Sequence, residues 1–98
     1  MCQCIRESAR RQRISVSEID LIVPHQVNTR VFDAVADRLK IDRDKIFSNI
    51  SDYGNTSAAS VPVALEEVAR TGAAKPGDLV CVVAFGGGLT CGSAMLHW

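Results

Sequence analysis

The sequence predicts an α/β fold in which helices pack on a mixed sheet that ends in a C-terminal β-hairpin. Three observations lead there. Apolar residues recur at helical spacing in two stretches, Val31-Val35-Leu39 and Val61-Ala64-Leu65-Val68-Ala69. Ile19-Asp20-Leu21-Ile22-Val23 and the continuous run Leu79 to Phe85 have the length and β-branched content of strands. Gly86-Gly87-Gly88 then bends the chain between Leu79 to Phe85 and a further strand-like run, Leu89 to Trp98, so the last two strands pair as a hairpin.

Taken in order, residues 2 to about 13 are rich in helix formers. Cys2, Ile5 and Ala9 make a narrow apolar stripe between arginines, which predicts a surface helix broken by Ser15 and Ser17. Residues 19 to 23 follow as a short buried strand. It stops at Pro24, whose ring forces Val23 into extended geometry and leaves His25 just beyond the strand end. Asn28 to Leu39 is a helix with one buried face, since Phe32 and Ala36 stand beside the Val31-Val35-Leu39 row. Ile41 to Lys45 reads as a connecting turn and Ile46 to Ile50 as a second short strand. The stretch Tyr53-Gly54-Asn55-Thr56-Ser57-Ala58-Ala59-Ser60 combines a turn, an amide side chain and the start of a helix that Gly72 terminates. Pro62 leaves that start open: a helix from Ser57 loses a hydrogen bond at the ring, whereas one from near Ser60 loses nothing. Lys75-Pro76-Gly77-Asp78 is a turn. The run Leu79 to Phe85 calls for cover on both faces, more than three helices supply, which implies a further layer from another chain or segment.

At 98 residues the chain is one small domain with little stability margin. Hydrophobic residues at 47% and charged residues at 22% exclude extended disorder. Eleven basic residues balance eleven acidic ones, which excludes a strong whole-chain field for nucleic acid or acidic membranes but not a local basic patch. No apolar run is long enough to span a bilayer, and Met1 to Arg13 is polar where a signal peptide is apolar, so a cytoplasmic protein is expected. The four cysteines then read as free thiols: Cys2 and Cys4 form a lone C-x-C, too little for zinc, and Cys81 and Cys91 lie in apolar strands.

Two polar side chains stand at element ends, His25 and Asn55, and the glycine bend at 86 to 88 is a third special position. Brought together, an imidazole N–H and an amide N–H aimed at one oxygen stabilise an enolate or a tetrahedral oxyanion. Asn serves better than Asp here, because a carboxylate repels the developing charge. The missing side chains at the bend let a backbone N–H approach a substrate carbonyl. Each residue alone also fits a plainer role: a hydrogen-bonded loop histidine, a turn or cap asparagine, a glycine turn.

Four segments carry a resemblance: Val23-Pro24-His25-Gln26-Val27-Asn28-Thr29-Arg30, then Tyr53 to Ser60, then Lys75-Pro76-Gly77-Asp78, then Ala84-Phe85-Gly86-Gly87-Gly88-Leu89-Thr90. In order and spacing they resemble the C-terminal part of the β-ketoacyl-acyl-carrier-protein synthase III family, over nearly the whole chain. Chalcone synthases and thiolases share that fold but match less well at the H-Q-x-N and G-G-G segments. The resemblance implies a partial thiolase-like fold and a decarboxylative Claisen condensation that initiates fatty-acid or polyketide synthesis, with acyl-CoA and malonyl-acyl-carrier protein as substrates and no cofactor or metal. It implies that His25 and Asn55 hold the malonyl thioester oxygen and that the Gly87 N–H contributes to the other oxyanion hole. Phe85 would lie beside the malonyl carboxylate, Asn28 would line the pantetheine tunnel, and Arg30 would meet the acidic carrier protein, although a solvated helix-face charge fits Arg30 equally. A homodimer is implied, with no nucleic acid or membrane partner.

Two departures from the family pattern matter. Cys91 stands where relatives often carry Trp. None of Cys2, Cys4, Cys81 and Cys91 matches the family's nucleophile, which lies in an N-terminal half, so residues 1–98 are expected to be one side of an active site and inactive alone. A piece of a longer chain or one part of a split enzyme fits this. The alternatives are a non-catalytic module that binds CoA or carrier protein or covers a relative's sheet, and a truncated product without a stable fold.

Overall fold

The computed structural model describes residues 1–98. Four helices, α1 (Cys2–Arg11), α2 (Thr29–Leu39), α3 (Ile50–Tyr53) and α4 (Ser60–Thr71), accompany three strands, β1 (Leu21–Pro24), β2 (Leu79–Gly86) and β3 (Thr90–His97). The strands form one mixed sheet in the order β1-β2-β3. β1 runs parallel to β2 with Leu21 opposite Val80, and β2 and β3 form the expected hairpin with Gly86 opposite Thr90.

Alternation along the strands sends side chains to two faces, and each face has its own core. Ile22, Cys81 and Val83 point to one, where they meet Ile5 and Ala9 of α1 and Phe32, Val35, Ala36 and Leu39 of α2. Leu21, Val23 and Val80 point to the other, against Ala64 and Val68 of α4. The expected surface helix α1 packs its apolar stripe on the first of these cores, with Ile5 and Ala9 buried and Arg10 and Arg11 exposed. It ends at Arg11, two residues early, because Arg13 turns left-handed at φ 56°.

Asn28 caps α2, its Oδ1 accepting the Val31 N–H at 3.0 Å. α4 begins at Ser60, so Pro62 falls within the first turn, where its missing N–H has no intrahelical partner to lose. Gly72 closes it in the left-handed region at φ 71°.

The strand expected at Ile46 to Ile50 is not formed. It reduces to one parallel bridge between Ile46 and Ile22, and the chain turns helical at Ile50. The cause is a side chain: Gln26 donates to the Phe47 carbonyl at 3.3 Å and accepts the Asn49 N–H at 3.1 Å, occupying groups that a strand would pair.

The doubly covered sheet that Leu79 to Phe85 calls for is only partly built. Val82 is half-buried and Ala84 exposed, and with Val61 and Ala94 they line an open apolar cleft of about 330 Å³. No helix is long and apolar enough to cross a membrane.

Candidate active site

β1 and β2 fix His25. Its N–H donates to Val83 O at 2.7 Å, which continues the parallel ladder one residue past Pro24. The ring stacks on Phe85, with centroids 5.3 Å apart and planes at 25°. Nδ1 lies 3.1 Å from Phe85 O, and Nε2, at the exposed end, lies 3.0 Å from Asn55 Oδ1. Residues 30 positions apart are thus joined directly.

Asn55 is delivered by the short turn of α3. Gly54 ends that turn at φ 68°, ψ −162°, its N–H donating to Ile50 O at 2.7 Å. The Ser57 N–H donates to Asn55 Oδ1 at 2.9 Å, which makes Oδ1 an acceptor and leaves Nδ2 as the amide's free donor end. Here the geometry refines the expectation of two donors converging on one oxygen. Asn55 turns its oxygen to His25, and because both ring nitrogens face acceptor oxygens, a neutral imidazole with one N–H donates to only one of them.

A family model described as 3-oxoacyl-[acyl-carrier-protein (ACP)] synthase III C terminal matches residues 9–98, which include His25, Asn55 and Phe85. The chain belongs to this family. Among curated proteins it is 46% identical over 96 residues to a β-ketoacyl-[acyl-carrier-protein] synthase III of Microcystis aeruginosa, covering 98% of this chain and 29% of that one. To the Aquifex aeolicus protein of the same name it is 44% identical over 98 residues, covering 100% of this chain and 32% of that one. Crystal structures of the synthase III from Aquifex aeolicus and from Pseudomonas aeruginosa superpose with TM-scores of 0.95 each, over the whole of this chain and 32% and 30% of theirs. The fold is that of the thiolase-like condensing enzymes. The chain spans about a third of the length of these relatives.

Within this synthase III C-terminal domain the other residues singled out in sequence, Gly87, Asn28 and Arg30, make no hydrogen bond to the side chains of His25 and Asn55. Gly87 is at the exposed tip of the β2–β3 hairpin; a Cβ there would meet nothing within 4 Å, and the left-handed turn residue is its neighbour Gly88, at φ 107°. Neither crowding nor backbone angle in this chain demands glycine at position 87. The tip is rooted at Phe85, whose carbonyl faces His25. Asn28 spends its Oδ1 on the α2 cap. Arg30, in the first turn of α2, is exposed and makes no ion pair.

The sequence assigns no role at the site to four residues that support it. Gln26, Asn49 and Ser60 are buried polar residues behind the site, and Glu67 bonds to Asn49. The only local signal is at Gln26, a second polar residue beside His25 at the end of a buried strand.

The thiols lie elsewhere, on α1 and on β2 and β3, none at a strand-to-helix turn. Burial, reinforced by the neighbouring Cys4 thiol, pushes Cys81 up to about 12. Burial and a hydrogen bond with Cys4 also raise Cys91. Cys81 is therefore expected to resist iodoacetamide at neutral pH in the folded protein and to react once the chain is denatured, as peptide mass mapping would record. No cluster of three or more His, Cys, Asp or Glu residues is placed to hold a metal ion.

Proposed function

We propose that residues 1–98 supply the malonyl-side half of the active site of a β-ketoacyl-[acyl-carrier-protein] synthase III, which carries out a decarboxylative Claisen condensation. The nucleophilic cysteine comes from the portion of the protein that precedes this domain. It attacks acyl-CoA, forming an acyl–sulfur bond and releasing CoA thiol. Malonyl-acyl-carrier protein then binds with its thioester oxygen between His25 and Asn55. Its carbon–carboxylate bond breaks to release carbon dioxide, and the electron pair passes to the enolate, whose oxygen His25 and Asn55 stabilise. The enolate carbon attacks the acyl thioester, a carbon–carbon bond forms, and the cysteine thiolate departs.

In this scheme Asn55 Nδ2 and His25 Nε2 are the donors, and the substrate oxygen takes the place beside Nε2 that Asn55 Oδ1 holds at 3.0 Å. Phe85 presents an apolar face where loss of the carboxylate charge is favoured. The Gly87 N–H serves the acyl-side oxyanion, Asn28 borders the pantetheine arm, and Arg30 meets the acidic carrier protein. The working enzyme is a cytoplasmic homodimer whose partners are acyl carrier protein and acyl-CoA, and it needs no cofactor.

The observation that carries this is the 3.0 Å approach of His25 Nε2 to the Asn55 amide beside the Phe85 ring. The test is a chimera in which residues 1–98 replace the matching C-terminal third of the Aquifex aeolicus relative. It is expected to condense acyl-CoA with malonyl-acyl-carrier protein. A chimera that folds and takes up the acyl group but releases no carbon dioxide from the malonyl thioester would falsify the proposal.

A further inference from the structure

The three buried polar residues of the chain, Gln26, Asn49 and Ser60, are 1%, 3% and 2% exposed, and all three bond within one assembly behind His25. A protein interior excludes such groups unless they are paired. These are paired completely: no buried side-chain nitrogen or oxygen lacks a partner.

The connections have a direction. Gln26 immediately follows His25. Its N–H donates to Ser60 Oγ at 3.2 Å, and its amide donates to Pro24 O at 2.9 Å and to Phe47 O at 3.3 Å. Its Oε1 accepts the Asn49 N–H at 3.1 Å. Asn49 is the root of the segment that delivers Asn55: its carbonyl accepts the N–H groups of Asp52 and Tyr53, which open α3. Its side chain donates to Glu67 Oε2 on α4 at 2.7 Å. Two anchors, one on the strand side and one on the helix side, therefore hold the base of the Asn55 turn. The base of His25 is held by the same glutamine.

We infer that Gln26, Asn49 and Glu67 are positioning residues that set the separation of His25 and Asn55. The inference rests on the proposed function for its kinetic consequence but not for its geometry. None of the three needs to touch substrate. Their effect passes through the register of two donors, and a displacement of about 1 Å at a reacting centre costs about 100-fold in rate. Because His25 and Asn55 act on the malonyl thioester alone, the loss falls on that half-reaction.

Asn49→Ala and Glu67→Leu, made in the chimera, are the test, with Glu67→Gln as the variant that keeps an oxygen acceptor for the Asn49 amide. In both disruptive variants malonyl decarboxylation is expected to fall by about 10- to 100-fold in kcat with little change in KM for the malonyl substrate, while acyl loading from acyl-CoA is unchanged. Glu67→Gln is expected to restore decarboxylation. Crystal structures of the parent and Asn49→Ala chimeras give a second readout, the expected result being a widened His25 to Asn55 separation. Unchanged decarboxylation, or a fall in both half-reactions together with thermal stability, would overturn the inference. If the parent chimera itself releases no carbon dioxide, the proposed function falls, and the His25 to Asn55 separation in the two structures still decides whether these residues position the pair.

Discussion

His25→Ala in the chimera is expected to lower malonyl decarboxylation by about 100- to 1,000-fold, the loss seen when one donor is removed from a preorganised oxyanion site. That corresponds to about 3–4 kcal/mol of transition-state stabilisation. Under the proposed function, acyl loading from acyl-CoA should be unaffected, because that scheme assigns the first half-reaction to the other oxyanion hole. Asn55→Ala should behave alike, and Asn55→Asp should be the more damaging of the two, since a carboxylate at that position opposes the enolate charge. The double variant should fall short of the product of the single losses: once one donor is gone, the remaining one no longer holds the oxygen in the geometry both require. Two single-variant losses that multiply fully would mean that His25 and Asn55 act at separate places, contrary to their 3.0 Å contact. Initial rates of carbon dioxide release and of enzyme acylation, measured separately, provide both comparisons.

What the sequence disclosed and what it withheld divide along the range of the interactions. The β2–β3 hairpin, β1 and α2 follow from local rules: an apolar run broken by glycines, a strand stopped at a proline, and an apolar row at a spacing of four. Their register needed only the alternation of side chains along each strand. The strand expected at Ile46 to Ile50 failed for a reason that no local window contains. Its backbone groups are taken by the Gln26 side chain, 21 and 23 residues away. His25 and Asn55 stood out because each sits at an element end, where a polar side chain is free to leave the packed layers. The network behind them did not stand out. A buried glutamine, a buried asparagine and a partly exposed glutamate are three unremarkable residues until the chain folds Asn49 between Gln26 and Glu67. Asn28 is a smaller instance: its place in the H-Q-x-N segment points toward substrate, while its side-chain oxygen is engaged in capping α2.

The largest effect on stability is expected from Phe32→Ala. Phe32 is fully buried at the centre of the face covered by α1 and α2, where it packs among residues that include Ile22, Val35 and Cys81. Truncation to alanine removes the ring and leaves a cavity that such walls close only in part, a change that costs about 3–5 kcal/mol in other cores. The Arg43 guanidinium also lies over the ring, 5.4 Å from its centroid, and loses a cation–π contact of about 0.5–1 kcal/mol. Arg43 keeps its bonds to Asp33 at 2.9 Å and to Ile46 O at 2.8 Å, so the loop it ties down stays in place and the damage is confined to the core. Set against the roughly 5–15 kcal/mol that holds a domain folded, a loss of this size is about a quarter of the total or more. Phe32→Leu, which refills most of the volume, should cost far less, about 1 kcal/mol. In urea titrations of the 98-residue chain, followed by the fluorescence of Trp98, the alanine variant should lower the midpoint sharply with an unchanged slope. In the chimera its signature should be the reverse of that of His25→Ala. The molecules that remain folded keep the His25 and Asn55 pair, which hangs on β1, β2 and the turn before α4, so decarboxylation per folded molecule is retained while the folded fraction falls. A loss below about 1 kcal/mol would place the centre of this core elsewhere than at Phe32.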